Sequence, residues 1–161
     1  MSEHREFDDV TGLPTHVQGM RSLAREIEIV RLSSKSELAI AVVDIDDLEG
    51  INQHSGSAAG NAALRGLANA LRRHARRSHD VVFRNGGGEF VCALPLATLQ
   101  EGTALLLEIW HTFNEEGLHS FSAGFSELRE GDDAMTVVNR AAACLHAGKK
   151  RSGRRAWRLA S

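Results

Sequence analysis

The stretch Arg84-Asn85-Gly86-Gly87-Gly88-Glu89-Phe90 limits what this chain can fold into more than any other part of it. Apolar, β-branched Val81-Val82-Phe83 precedes it, and Phe90-Val91-Cys92-Ala93-Leu94 follows it and stops at Pro95. Short apolar runs on either side of consecutive glycines read as a β-hairpin, because glycine supplies the positive φ that a tight reversal needs. A hairpin tip without side chains also lets a ligand approach the backbone, as glycine-rich turns do with phosphates. A plain turn with no ligand satisfies the same local pattern.

Around the hairpin, helical and strand patterns follow one another. Asp8 to Pro14 is a polar, turn-forming lead, and Thr15 stands where it can cap a helix carrying Val17, Met20, Leu23, Ala24, Ile27 and Val30, which Ser33-Ser34-Lys35-Ser36 ends. Leu38 to Val43 is short and continuously apolar, as expected of a central strand covered on both faces. It delivers Asp44-Ile45-Asp46 to the strand end just ahead of a helix start, where hard oxygen ligands make a candidate divalent-cation site. Acidic residues also cap helices for purely structural reasons.

Gly56 to Arg77 reads as one long helix bearing Ala63, Leu64, Leu67, Ala68 and Leu71. His79 to Arg84 and Glu89 to Leu94 are the hairpin strands, and Ala97 to Phe113 is an amphipathic helix with Leu99, Leu105, Leu106, Ile109 and Trp110. His119 to Ser126 alternates with period two as a strand does; Ala134 to Lys150 is the last helix and Arg155 to Leu159 the last strand. This order, with an antiparallel hairpin in the middle, predicts an α+β fold with helices packed on a sheet.

The 161 residues, 42% hydrophobic with a formal net charge of -2, predict one domain over 1–161, with a lead over 1–14 and a core over about 15–160. The polar start Met1 to Glu6 does not read as a signal peptide, and the longest apolar run is far too short to span a bilayer. The expectation is a cytoplasmic protein with no membrane partner. Cys92 and Cys144 are expected to be reduced core residues, and the histidines show no zinc spacing. Arg72, Arg73, Arg76 and Arg77, and again Lys149 to Arg158, suggest anionic partners, while the small net charge argues against nucleic acid.

The hairpin resembles the signature of the GGDEF family, the diguanylate cyclases, in which Gly-Gly-Asp/Glu-Glu-Phe joins two central strands. Asp8 to Pro14 is similar to the D-x-L-T-G-L segment that opens such domains, and Asp44 to Asn52 resembles D-I-D-x-F-K-x-I-N. Gly60-Asn61 stands at the family's G-D, and Ser122-Ala123-Gly124-Phe125 at its S-x-G-I/V-A element. The resemblance runs from about Asp8 to about Arg158. It implies a nucleotidyl-cyclase-like, ferredoxin-like palm with a mostly antiparallel sheet. It further implies joining of two GTP into cyclic di-GMP, with Mg²⁺ or Mn²⁺ held by Asp44, the Ile45 carbonyl and the carboxylate at the third hairpin position.

That third position is Gly88, which has no carboxylate. Successive strand residues face opposite sides, so Glu89 is expected to point away from where a side chain at 88 would go. Leu48 and Glu49 replace the usual Phe and Lys. Asn61 replaces an Asp that accepts two guanine N–H groups; an amide accepts only one, a loss of roughly 1–3 kcal/mol, and suits adenine better. By resemblance, Asn52 and Asn61 mark the base site, and Lys150 and Arg154 of Lys150-Arg151-Ser152-Gly153-Arg154 hold phosphates, with Lys149 the alternative to Lys150.

Arg77-Ser78-His79-Asp80 is an R-x-x-D in the register of the family's inhibitory site for cyclic di-GMP. The bare pattern recurs at Arg5 to Asp8 and Arg129 to Asp132, so position is its evidence. An arginine fork suits phosphate and guanine edges, and a carboxylate accepts guanine N–H groups. A helix C-terminus rich in arginine for dipole reasons is the structural alternative.

The expectation is a degenerate, catalytically silent domain that binds cyclic di-GMP through Arg77 and Asp80 and signals to an unidentified protein partner, needing no cofactor while inactive and taking Mg²⁺ or Mn²⁺ where a nucleotide is bound. GTP and a second copy of the chain are further partners it allows. A weak or altered cyclase, in which water or Asp46 replaces the missing ligand, and a nucleotide-free scaffold are the alternatives.

Overall fold

The computed structural model describes residues 5–116, 119–152 and 157–159. Five strands form one sheet in the order β2-β3-β1-β4-β5: β1 Leu38–Ile45, β2 Val81–Gly86, β3 Glu89–Pro95, β4 Phe121–Glu127 and β5 Trp157–Leu159. All neighbours are antiparallel except β4 and β5, which run parallel. The helices are α1 His16–Leu32, α2 Leu48–Ser55, α3 Ser57–His74, α4 Leu99–Glu116 and α5 Ala134–Ser152. The expected α+β architecture is the observed one. No described helix is long and apolar enough to cross a membrane.

β1 shows why its sequence is apolar without interruption. Leu38, Ile40 and Val42 pack with Leu23, Ile27 and Val30 of α1 and Val137, Val138, Ala141 and Leu145 of α5. Ala39, Ala41, Val43 and Ile45 face the other way, toward Leu64, Leu67 and Leu71 of α3 and Leu106, Ile109 and Phe113 of α4. Alternate residues of one strand therefore feed two cores, and both faces of the sheet are covered. Truncating a side chain such as Leu67, which is fully buried, would cost about 2–5 kcal/mol.

The structure corrects several local expectations. Val17 and Ala24 lie on the exposed side of α1, which buries Gly19, Leu23, Ile27 and Val30 instead. Thr15 occupies the N-cap position, but its hydroxyl donates to the Arg5 carbonyl rather than to the helix. The expected helix over 56–77 stops at His74, so Arg77 sits on the connection to β2, not on a helix. β4 is buried at every position from Phe121 to Ser126 rather than alternating, because α5 covers the face that a period-two pattern would leave to water. Gly124 makes that cover possible: an ideal Cβ there would lie 2.2 Å from the Ala141 carbonyl oxygen and 2.4 Å from the Leu145 nitrogen. Cys92 is buried and burial pushes its thiol up to about 12, whereas Cys144 is only partly buried.

Candidate functional site

The hairpin joins β2 and β3 with Gly86 paired to Glu89 and a register shift at Asn85. Gly86 and Gly87 take φ of 134° and 53°, values that side chains resist. The tip is anchored from behind. The Arg84 guanidinium donates to the Gly87 carbonyl from Nε (3.0 Å) and from a terminal nitrogen (2.7 Å), and pairs with both Asp8 oxygens at 3.0 and 3.1 Å. Asp8 also accepts from the Thr11 amide (2.8 Å) and hydroxyl (2.7 Å). Burial alone would raise the Asp8 carboxyl, but Thr11 and Arg84 outweigh it and hold it below the ordinary carboxylate range. The lead segment is thus tied to the hairpin, a contact between residues 76 apart that no local pattern signals.

β1 carries Asp44 to the end of the sheet beside this tip. Asp47 turns the chain in the left-handed region (φ 57°), which aspartate tolerates, and α2 starts at Leu48. An ideal Cβ on Gly88 would lie 3.0 Å from Asp44 Oδ1 and 3.1 Å from Leu48 Cδ2. Glu89 spends its oxygens elsewhere: Oε1 accepts from the Asn85 amide at 2.6 Å, and Oε2 lies 3.3 Å from His146 Nε2 on α5. Asp46, just past the strand, accepts from the Ser120 hydroxyl (2.6 Å) and the Ser122 hydroxyl (2.7 Å). Lys149 of α5 donates from Nζ to Asp44 Oδ2 at 2.5 Å and stands 3.7 Å from Asp46 Oδ1. The lysine at the carboxylates is therefore Lys149; Lys150 is exposed, one residue further around the helix. Arg154 lies outside the described residues.

Asn52 and Asn61 are placed together by the tight α2–α3 corner. The Asn52 side chain lies where a side chain on Gly60 would be, with Oδ1 1.8 Å from an ideal Cβ. Asn61 follows directly on α3 and is partly exposed. Sequence reading did not find Ser120, Ser122 or His146 as partners of these carboxylates. Serines at alternate positions opposite a D-x-D strand end were the available signal.

Between the α3–β2 connection and the first turns of α4 lies a cavity of about 430 Å³ lined by residues that include His74, Arg76, Arg77, Asp80, Glu101 and Leu105. The Asp80 side chain is only 2% exposed. Its Oδ2 accepts from the Arg77 amide at 3.0 Å, and its amide donates to the Arg77 carbonyl at 2.9 Å, closing the R-x-x-D as a turn. Arg77 Nε lies 3.4 Å from Oδ1, within ion-pair range but outside hydrogen-bond geometry, so Oδ1 is buried with no hydrogen-bond partner. Burial pushes this carboxyl up against the opposing pull of Arg77. Glu101, across the cavity, is already committed to α4, where it accepts from the Thr98 amide at 2.8 Å and the Thr98 hydroxyl at 3.1 Å.

The family described as "Diguanylate cyclase, GGDEF domain" matches residues 5–155. The chain belongs to the GGDEF family. The diguanylate cyclase DgcP of Pseudomonas aeruginosa is 32% identical over 155 residues, covering 91% of this chain and 23% of DgcP. The chain thus spans about a quarter of that relative's length. Among solved structures, the GGDEF domain of DgcB from Caulobacter crescentus in complex with c-di-GMP superposes with a TM-score of 0.88 at 26% identity, covering 99% of this chain and 98% of that one. Diguanylate cyclase SiaD of Pseudomonas aeruginosa, in complex with its activator SiaC, gives 0.85 at 28% identity, covering 94% and 61%.

The residues of this GGDEF domain do not fit the metal that the family implies. Position 88 supplies no carboxylate, Glu89 and Asp46 are engaged by other side chains, and an ammonium lies on Asp44. Among the described residues no group of three His, Cys, Asp or Glu side chains is placed to hold an ion.

Proposed function

We propose that this chain is a catalytically silent GGDEF domain that binds cyclic di-GMP at the Arg77–Asp80 cavity and signals through a protein partner. One observation carries the reading: Arg77 and Asp80 line one cavity, and the buried Oδ1 of Asp80 has no hydrogen-bond partner. A buried carboxylate oxygen left unpaired costs free energy that a ligand donor recovers. A guanine edge brings two N–H groups, and the Arg77 guanidinium offers a planar fork to phosphate or to the guanine acceptors. The complex of the DgcB domain with c-di-GMP and that of SiaD with its activator SiaC support a nucleotide and a protein as partner classes. GTP and a second copy of the chain are the remaining candidates.

The test is calorimetric titration of cyclic di-GMP into the purified protein beside Arg77→Ala. Saturable binding that the substitution abolishes is the expected result; no heat for either protein overturns the reading. A low-activity cyclase is the second reading, favoured by the likeness to DgcP. Product formed from GTP with Mg²⁺ or Mn²⁺, and lost on Asp44→Ala, would establish it in place of silence.

A further inference from the structure

At the Asp44 end of the sheet, a lysine ammonium stands where carboxylates call for a cation. Lys149 Nζ is 2.5 Å from Asp44 Oδ2 and 3.7 Å from Asp46 Oδ1. The three side chains are 25%, 28% and 6% exposed, so the cluster is largely shielded from water. Shielding strengthens attraction between opposite charges and makes an uncompensated carboxylate expensive. The hydroxyls of Ser120 and Ser122 fix Asp46 from the sheet side. α5 reaches this point because Gly124 lets it lie against β4, and His146, one turn before, meets Glu89 on β3.

We propose that Lys149 is the resident counter-cation of the Asp44–Asp46 pair, a built-in replacement for a divalent ion, so that this end of the domain keeps its charge balance and its α5 docking without metal. Two consequences follow from the geometry. A metal ion must displace the ammonium before it reaches Asp44 Oδ2, and an anionic ligand must compete with Asp44 for Lys149. The pairing is independent of the Arg77–Asp80 cavity, so the cyclic di-GMP titration does not bear on it.

Thermal unfolding in EDTA and in millimolar Mn²⁺ tests this. Wild type is expected to melt at the same temperature in both. Lys149→Met leaves the two carboxylates without a counter-cation and is expected to lower the midpoint in EDTA by roughly 5 °C or more, with most of the loss regained in Mn²⁺. If Lys149→Met fails to fold, the double variant Asp44→Asn with Lys149→Met removes the orphaned charge along with the ammonium. A folded double variant then supports the pairing, and one as unfolded as the single overturns it. The proposal is also overturned if Mn²⁺ stabilises wild type and Asp44→Asn abolishes that effect. A Lys149→Met midpoint that does not fall, or falls without Mn²⁺ restoring it, overturns it equally.

Discussion

The sheet end around Asp44 and the cavity around Asp80 each hold a shielded aspartate beside a basic side chain, and they differ in what satisfies it. Asp44 and Asp46 share the Lys149 ammonium, and Asp46 adds two hydroxyls. Asp80 keeps one oxygen without a hydrogen bond although Arg77 is 3.4 Å away. The contrast comes from the elements that carry the base. Lys149 is delivered from a separate helix that closes over the sheet end, whereas Arg77 lies on the same turn as Asp80 and its Nε stays 3.4 Å from Oδ1. A partner from a distant element satisfies Asp44, and a partner three residues away leaves one Asp80 oxygen without a hydrogen bond.

The largest way to break this comparison is to lift α5. Gly124→Ala places a methyl 2.2 Å from the Ala141 carbonyl oxygen, and overpacking against backbone should cost about 3 kcal/mol in urea unfolding. Because α5 carries Lys149 and the cavity residues sit elsewhere, folded Gly124→Ala should keep its cyclic di-GMP affinity while losing the Asp44 pairing. Equal loss at both places would mean that the two regions are not separate.

A smaller effect makes the sheet end resemble the cavity. Gly88→Asp puts a second carboxylate against Asp44, with its Cβ 3.0 Å from Oδ1. Crowding and like charge should cost about 1–2 kcal/mol in EDTA. Recovery in Mn²⁺ would show that the other oxygens of the site still accept an ion; a cost that Mn²⁺ leaves unchanged would show that Lys149 keeps it out.

The smallest effect has the opposite sign. Asp80→Asn removes a charge that burial disfavours, so at neutral pH the free protein should hold or gain stability, by less than about 1 kcal/mol. Cyclic di-GMP affinity should fall roughly tenfold, since the amide turns a donor toward one of the guanine N–H groups. The folded Asp80 carboxyl titrates above its ordinary 3.8, so the folded state keeps that proton longer than the unfolded chain does. Its contribution to stability therefore falls as pH rises from 3.8 through the raised value, and the urea midpoint of Asp80→Asn should lack that fall.

What the sequence determined by itself is what local pattern encodes. The continuously apolar Leu38 to Val43 meant a strand buried on both faces, consecutive glycines meant the hairpin, and the order of elements meant a sheet with helices on it. Gly88 also declared the missing carboxylate, because a residue type is legible wherever the chain goes. Tertiary structure alone decided who meets whom. Lys149 rather than Lys150 reaches Asp44 because one residue on a helix is a rotation of about 100°, and which side faces the sheet depends on how closely α5 lies on β4. Ser120 and Ser122 capture Asp46 because of the register between β1 and β4. The R-x-x-D became a turn, not a helix end, because α3 stops at His74. Only tertiary packing buried the Asp80 side chain and left one of its oxygens without a hydrogen bond. Pairings across 105 residues are fixed by helix rotation and strand register, and neither is written in the spacing of any one segment.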